Sequence, residues 1–99
     1  NGRNGMIFTQ NGVMNLRNKK WEDDFTELDP CGTSFVDHHY TRAYVRHLIH
    51  AQEMLGLEIL SIHNLAFYLW LVGEARKHIL AGDFKAWKDE ITPRLMQRM

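Results

Sequence analysis

The loop from Pro30 to His39, PCGTSFVDHH, has the highest density of chemically capable side chains in this chain. It contains a thiol at Cys31, a carboxylate at Asp37 and imidazoles at His38 and His39. Thiolate, carboxylate and imidazole are the ligand types that proteins offer to zinc and other transition metals. Residue types alone do not show that these side chains converge, so a metal site and a purely structural loop both stay open.

A row of basic side chains follows that loop. Arg42, Arg46 and His50 recur four residues apart, which places them on one face of a helix. Such a row, extended by His39, is suited to track the phosphates of an RNA. A solvated helix face gives the same pattern, so both interpretations stay open.

Helical patterns that meet near Gly56 must position these side chains. We expect helices over about 41–55, 58–81 and 84–97, since apolar residues recur there at helical spacing. Ahead of them, an Asn-Gly dipeptide at 11–12 separates two short strand-like runs, which predicts a β-hairpin. The expected fold class is therefore α+β and mostly helical, with a short N-terminal hairpin and three helices.

Local signals predict two helix ends and one more apolar face. Thr41 is the predicted N-cap of the first helix, and Gly82 has the place of a C-cap after the second. In the last helix, one face is predicted from the spacing of Phe84, Trp87, Ile91 and Leu95.

The apolar patterns also predict which helix faces are covered. The packing face of the first helix is predicted from residues at three- and four-residue steps: Tyr44, Leu48, Ala51 and Leu55. The second helix is apolar on all sides between residues 65 and 72, which predicts cover by protein around most of its circumference. We expect three of these side chains to be well covered: Phe67, Leu69 and Leu71. That run is about half of the ~20 residues of a membrane span, so no membrane is expected as a partner.

Composition predicts one small unit in a reducing compartment. With 99 residues and 44% hydrophobic content, the chain can form a single small core. Twelve acidic and twelve basic residues balance, so nucleic-acid binding would need a local patch rather than bulk charge. The single cysteine, Cys31, excludes an internal disulfide, and cytoplasm is the expected location. The opening NGRNG is typical of an internal segment, so we expect a piece of a longer protein.

Several strings, in order, resemble the C-terminal part of bacterial tRNA-guanine transglycosylase, also called queuine tRNA-ribosyltransferase. They are RNGMIFT, GVMNLRNKKWEDDF, ELDP, YTRAYVRHL, EMLGLEILSIHNLAFY and a G-x-F after the long helix. The resemblance implies a (β/α)8 barrel enzyme that exchanges guanine at the tRNA wobble position for a queuine precursor, preQ1, in queuosine biosynthesis. It implies a covalent intermediate on an aspartate that lies shortly before the segment matching Asn1. We therefore expect no catalytic residue in this chain.

The resemblance also implies an arrangement of parts and partners. Residues 1–99 would form one unit, in which 1–56 match an inserted zinc-type subdomain and 57–99 match the last barrel helix and the C-terminal helix. The expected partners are the tRNA anticodon arm, the rest of the barrel and a second copy in a homodimer. The residues expected to bind tRNA are Asn1, Gly2, Arg3, Arg42 and Arg46. A guanidinium such as that of Arg3 can bond to phosphate or to a base edge with two parallel hydrogen bonds.

The zinc motif is where this sequence departs from the family it resembles. The family pattern is C-x-C-x-x-C followed by a histidine, and alignment places Gly32, Ser34 and Asp37 at the cysteine positions and His63 at the histidine position. Because thiolates supply much of the affinity of a structural zinc site, no metal cofactor is expected here.

Two other ways of ordering the loop are then left. In the first, Phe35 and Val36 replace the metal by apolar packing, and His63 is a partly buried histidine hydrogen-bonded to the loop. The second is a substitute ligand set, drawn from the loop and the long helix: Cys31, Asp37, His38 or His39, and His63.

Two functions compete at this point. The first is an enzyme fragment that lacks the nucleophile and contributes tRNA contact and dimerisation to a transglycosylase. The alternative is a freestanding helical module that binds RNA or protein. A reading frame with barrel strands and an aspartate shortly before Asn1 would favour the enzyme, and a nearby start codon would favour the module.

Overall fold

The structure is a computed structural model that describes residues 5–99. Its elements are a hairpin of β1 (Met6–Thr9) and β2 (Gly12–Asn15), a 3₁₀ turn (Lys19–Trp21), and helices α1 (Val36–His39), α2 (Arg42–His50), α3 (Met54–Ala81) and α4 (Phe84–Met96). The predicted α+β class, with a hairpin and mostly helix, is confirmed. The one-turn helix α1 is an addition, since the sequence predicts only a compact loop there.

Side chains of α3 satisfy the outer edge of β1. The two strands pair antiparallel, with Ile7 opposite Met14. On the other edge of β1, the Asn64 side chain accepts from the Phe8 amide at 3.1 Å and donates to the Met6 carbonyl at 3.1 Å. An unpaired strand edge leaves backbone groups unsatisfied, so Asn64 replaces part of a third strand and fixes the hairpin on α3.

The C-terminal residues cover the outer edge of β2. Val13 donates its amide to the Gln97 carbonyl at 2.8 Å, and the Met99 amide donates to the Val13 carbonyl at 2.9 Å. The chain can approach so closely because Gly12, with φ of +134°, has no side chain where the Gln97 carbonyl lies. Both edges of the hairpin are therefore paired, one with side chains and one with backbone.

One apolar core joins the hairpin to α1, α2 and α3. Its buried members come from each of these elements and from the connecting segments: Ile7, Met14, Leu16, Trp21, Leu28, Val36, Val45, Leu48, Ile49, Ile59 and Leu60. The proposed boundary between 1–56 and 57–99 falls inside α3, which is one continuous helix. The division of the chain at that point stays a prediction.

The junction of α2 and α3 differs from the predicted one. The chain turns at 51–53, where Gln52 has φ of +58°, and Gly56 lies inside α3 rather than between the helices. A Cβ at Gly56 would lie 3.0 Å from the Cβ of Leu48, so this glycine permits a close crossing of the two helices. The predicted bounds of 41–55 and 58–81 are wrong here because Gly56 is needed for packing and not as a helix end.

The caps follow the local signals. Thr41 is the N-cap of α2, and its hydroxyl accepts from the Tyr44 amide at 3.1 Å, as predicted. Gly82 ends α3 in the left-handed conformation with φ of +82°.

The predicted packing face of α2 is wrong in three of its four positions. Tyr44 and Leu55 are exposed, Ala51 follows the helix end, and only Leu48 is buried. The buried side chains of α2 are instead Ala43, Val45, Leu48 and Ile49. These residues also recur at helical spacing, so the periodicity alone did not show which apolar face of α2 is buried.

The predicted cover around the apolar part of α3 is not provided by this chain. Phe67 and Leu71 are half-buried, but Leu69 is 60% exposed, as are Leu65 at 60% and Tyr68 at 62%. By length and composition alone α3 could cross a membrane, a test that the core helix of a soluble protein also passes. The absence of a membrane partner therefore stays a prediction, and this apolar face needs some other surface to cover it.

Candidate functional site

A buried ion pair lies at the centre of the loop between the hairpin and α2. His63 of α3 and Asp37 of α1 are each 1% exposed, and His63 Nδ1 is in direct hydrogen-bond contact with Asp37 Oδ1. The other carboxylate oxygen, Asp37 Oδ2, accepts from the Ser34 amide at 3.0 Å. Both Asp37 oxygens are therefore used, one for α3 and one for the loop itself.

The second ring nitrogen of His63 determines its protonation. His63 Nε2 lies 2.8 Å from the Phe8 carbonyl oxygen, which can only accept, so Nε2 carries a proton. Burial lowers the pKa of His63, but the hydrogen bond and the charge of Asp37 raise it, and the net pKa is above the ordinary 6.5. We infer an imidazolium that donates from both nitrogens and connects α1 to β1.

A second buried carboxyl, that of Asp29, forms a cluster with Asp37 and His63. The sequence patterns did not predict this residue as part of a site. Asp29 is 2% exposed, and its carboxylate lies within 4.8 Å of the ligand atoms of Asp37 and His63. Burial raises the pKa of Asp29, the charge of His63 opposes this rise, and the charge of Asp37 adds to it. The only sequence signal at Asp29 is its place before Pro30 and Cys31, which indicates a turn: its carboxylate accepts from the Cys31 amide at 3.2 Å.

The loop packs differently from the predicted apolar replacement of the metal. Val36 is buried at 1% exposure, as predicted, but Phe35 is 68% exposed. The reason is the one-turn helix α1, which begins at Val36 and turns its neighbour Phe35 outward. The predicted contribution of Phe35 to the packing is therefore wrong, and the Asp37–His63 pair takes its place in ordering the loop.

The residues at the family's zinc-ligand positions do not fit a Cys3His zinc site. Gly32 has no side chain, and a Cβ built there would lie 2.0 Å from Asp37 Oδ2, so the carboxylate fills the space of that side chain. Ser34 Oγ is 3.3 Å from the Val36 amide, from which it accepts. Zinc bonds to nitrogen and oxygen are about 2.0–2.2 Å long, so an ion bound to both partners would separate His63 Nδ1 from Asp37 Oδ1. They touch directly instead.

The substitute ligand set from the sequence is not assembled either. Within residues 5–99, the group able to hold an ion is Asp29, Asp37 and His63. Cys31 is exposed and faces Asn11, whose Nδ2 is 3.9 Å from Sγ.

The two loop histidines point elsewhere as well. His38 donates from Nε2 to the Gly32 carbonyl at 2.9 Å and pairs with Glu27 at 3.2 Å, which together raise the pKa of His38. The ring of His39 packs edge-on against Tyr40, at 4.7 Å between ring centres.

The predicted basic row faces the 17–28 segment. Arg42 donates from Nε to the Leu28 carbonyl at 3.2 Å and pairs with Asp24 at 3.1 Å, and its side chain is only 14% exposed. Arg46 donates from Nε to the Asn18 carbonyl at 3.2 Å. His50 Nε2 lies 3.4 Å from the carbonyl oxygen of Arg17. These basic side chains therefore connect residues 17–28 to α2 by hydrogen bonds. Contact of Arg42 or Arg46 with tRNA stays a prediction.

The remaining tRNA-contact residues of the prediction lie outside the described part of the chain. These are Asn1, Gly2 and Arg3. Their contact with tRNA also stays a prediction.

Comparison with known proteins identifies the family. A family model described as queuine tRNA-ribosyltransferase matches residues 1–97. The chain is 36% identical over 99 residues to the queuine tRNA-ribosyltransferase of Aquifex aeolicus. This alignment covers all of the chain and 26% of that protein. It is 43% identical over 90 residues to the queuine tRNA-ribosyltransferase of Clostridium acetobutylicum, and this alignment covers 91% of the chain. It is 41% identical over 92 residues to that of Lactococcus lactis subsp. cremoris, with 93% of the chain covered. Each alignment covers 24% of the relative. Because the match runs nearly from end to end, this chain belongs to the queuine tRNA-ribosyltransferase family.

Proposed function

We propose that this chain is the C-terminal part of a tRNA-guanine transglycosylase, which replaces guanine at the tRNA wobble position with preQ1 in queuosine biosynthesis. The observation that carries this proposal is the family match over residues 1–97, in a chain that spans about a quarter of its relatives' length. In this proposal the nucleophile and the substrate-base pocket belong to the preceding (β/α)8 barrel. The whole enzyme would be a cytoplasmic homodimer.

The exposed apolar face of α3 fits a role in completing that barrel. Leu65, Tyr68, Leu69 and Val72 lie within two turns of one helix, and each is 47% exposed or more. A contiguous apolar surface of this kind is normally covered by another protein surface. We propose that the rest of the barrel covers it, with α3 as the last barrel helix.

The proposed tRNA contacts differ in how free their side chains are. The Arg42 guanidinium is half-buried between the Leu28 carbonyl and Asp24, so it mainly stabilises the fold. Arg46 uses only Nε in a hydrogen bond within residues 5–99, which leaves its two terminal nitrogens for a phosphate. Arg46, together with Asn1, Gly2 and Arg3, is therefore the better candidate for contact with the anticodon arm.

The purified 99-residue chain is expected to exchange no base. Covalent catalysis requires a nucleophile, and in this proposal that aspartate lies upstream of residue 1. The measurement is incorporation of labelled guanine into tRNA, by the chain alone and by the product of the complete reading frame. Incorporation by the complete protein and none by the chain is the expected result.

The same experiment separates the enzyme from the freestanding module. Label incorporated by the chain alone would contradict the assignment of the nucleophile to the barrel. A reading frame that begins close to residue 1 would instead favour a helical module that binds RNA or protein. Barrel strands and an aspartate encoded shortly upstream support the enzyme.

A further inference from the structure

We infer that the direct Asp37–His63 pair has replaced the family's zinc in this chain, and that Gly32 is the residue that makes room for the pair. This inference concerns the loop and does not depend on the proposed catalytic function. It rests on the positions of the two side chains, their burial and the space at residue 32.

The pair makes the connections that a metal ion would make in such a loop. A structural zinc ties residues of a loop to a residue of a distant helix through one shared ion. Here Asp37 contacts His63, which is 26 residues away in the sequence, and also accepts from the Ser34 amide. His63 then continues the chain of contacts to the Phe8 carbonyl of β1. One carboxylate and one imidazolium therefore connect the loop, α3 and the hairpin.

Burial makes this connection stronger than an exposed ion pair. Both side chains are 1% exposed, so neither water nor salt screens the pair as it screens surface charges. Each of the three hydrogen bonds of the pair involves at least one charged group, the Asp37 carboxylate or the His63 imidazolium. Such bonds have defined directions, as metal bonds do, and this lets the pair fix the orientation of the loop.

The residues at positions 32 and 37 must be compatible with each other. A Cβ at position 32 would lie 2.0 Å from Asp37 Oδ2 and 2.3 Å from Asp37 Cγ, far closer than atoms can approach. With the Asp37 carboxylate in this position, residue 32 must be glycine. A cysteine at 32 requires a different side chain at 37 and also a small separation of the two segments, because its Cβ would lie 2.8 Å from the Cβ of residue 37. Zinc and the ion pair are alternative occupants of one volume, so this chain cannot combine them without moving the loop.

A double-mutant cycle tests the coupling between the two positions. Gly32→Ala is expected to lower the melting temperature of the 99-residue chain strongly. In the Asp37→Ala background the same change should cause a smaller further loss, because the carboxylate is gone and only the contact with the Cβ of residue 37, at 2.8 Å, remains. Gly73→Ala serves as the matched control, since nothing beyond the neighbouring backbone of its own helix lies within 4 Å of a Cβ there. Equal losses from Gly32→Ala in both backgrounds would overturn the inference.

Restoring the cysteines tests the replacement of the metal. The triple variant Gly32→Cys, Ser34→Cys and Asp37→Cys keeps His63 and recreates the family's ligand pattern. We expect it to bind about one zinc per chain, to show the visible absorption of tetrahedral cobalt thiolate when loaded with Co²⁺, and to melt at a lower temperature after chelation. The unsubstituted chain, purified from the same zinc-supplemented culture, should show substoichiometric zinc by plasma emission spectroscopy and an unchanged melting temperature with chelator.

Two results would contradict the replacement. Stoichiometric zinc in the unsubstituted chain, lost in Asp37→Asn or His63→Gln, would show that Asp29, Asp37 and His63 hold an ion. A folded triple variant that binds neither zinc nor cobalt would show that this loop does not occupy the position of the family's metal site. If the triple variant fails to fold, the cycle at positions 32 and 37 still decides the coupling.

Discussion

Asp37→Ala is expected to lower the free energy of unfolding by roughly 3–5 kcal/mol, the range seen when one partner of a buried ion pair is removed. The substitution leaves His63, which is 1% exposed, without its counter-ion. His63 must then either remain a buried cation or lose a proton and leave Nδ1 without a partner, and both states are costly. The Ser34 amide loses its acceptor as well.

Urea denaturation followed by circular dichroism measures this loss. Asp23→Ala is the matched control, because Asp23 is exposed and a surface carboxylate contributes little. Asp37→Asn should lie between the two, since an amide oxygen can still accept from His63 but carries no charge. A loss for Asp37→Ala no larger than that for Asp23→Ala would show that the pair does not order the loop.

Gly12→Ala is expected to lower the free energy of unfolding by roughly 3 kcal/mol or more. Its φ of +134° is a conformation that residues with a Cβ rarely adopt. The added Cβ would also lie 2.4 Å from the Gln97 carbonyl oxygen, which is backbone and cannot rotate away. The chain can relieve the overlap only by giving up the hydrogen bonds between Val13 and the C-terminal residues.

Amide hydrogen exchange shows whether the loss arises at this edge. The Val13 and Met99 amides are protected by bonds of 2.8 and 2.9 Å and should exchange faster in the Gly12→Ala variant. Gly73→Ala makes the same chemical change in an open position of α3 and should be neutral or stabilising by up to about 1 kcal/mol. Unchanged protection at Val13 in the Gly12→Ala variant would contradict the docking of the C-terminal residues on β2.

Local signals predicted the parts of the fold that depend on neighbouring residues. The Asn-Gly turn, the Thr41 cap and the Gly82 helix end each involve groups within a few residues, and each is found where expected. The face of α4 is also close to its prediction, since Phe84, Trp87, Ile91 and Leu95 are buried or half-buried. Gly56 shows the limit, because a glycine at a helix end and a glycine at a helix crossing look alike in sequence.

The candidate site depends on contacts between distant residues, which spacing does not reveal. His63 was expected to bond to the loop, and its pairing with Asp37 is the specific form of that contact. The burial of Asp29 and the exposure of Phe35 follow from the path of the chain around α1, for which the sequence has no periodic signal. Arg42 and Arg46 share a face as predicted, but the pattern could not show that the face is occupied by residues 17–28.

The pH dependence of stability follows from the raised pKa of His63. Because the pKa of His63 is higher in the folded state, the folded chain binds this proton more tightly than the unfolded chain does. The resulting stabilisation is fully present below the unfolded pKa, near 6.5, and is lost as the pH rises through the folded pKa. The charged groups that face the ring are Asp37 and Asp29, with Arg42 acting on Asp29 from α2. The decline as the pH rises above about 6.5 should be absent in Asp37→Ala.

The protonation state of His63 is the most direct test of the ion pair. A long-range ¹H–¹⁵N NMR spectrum of the folded chain, recorded at about pH 7, resolves the two ring nitrogens of each histidine. We expect both nitrogens of His63 to be protonated at that pH, with the Nδ1 proton shifted downfield by its bond to Asp37. A His63 ring with one unprotonated nitrogen, or one whose nitrogen shifts change on chelation, would contradict the replacement of the metal by an ion pair.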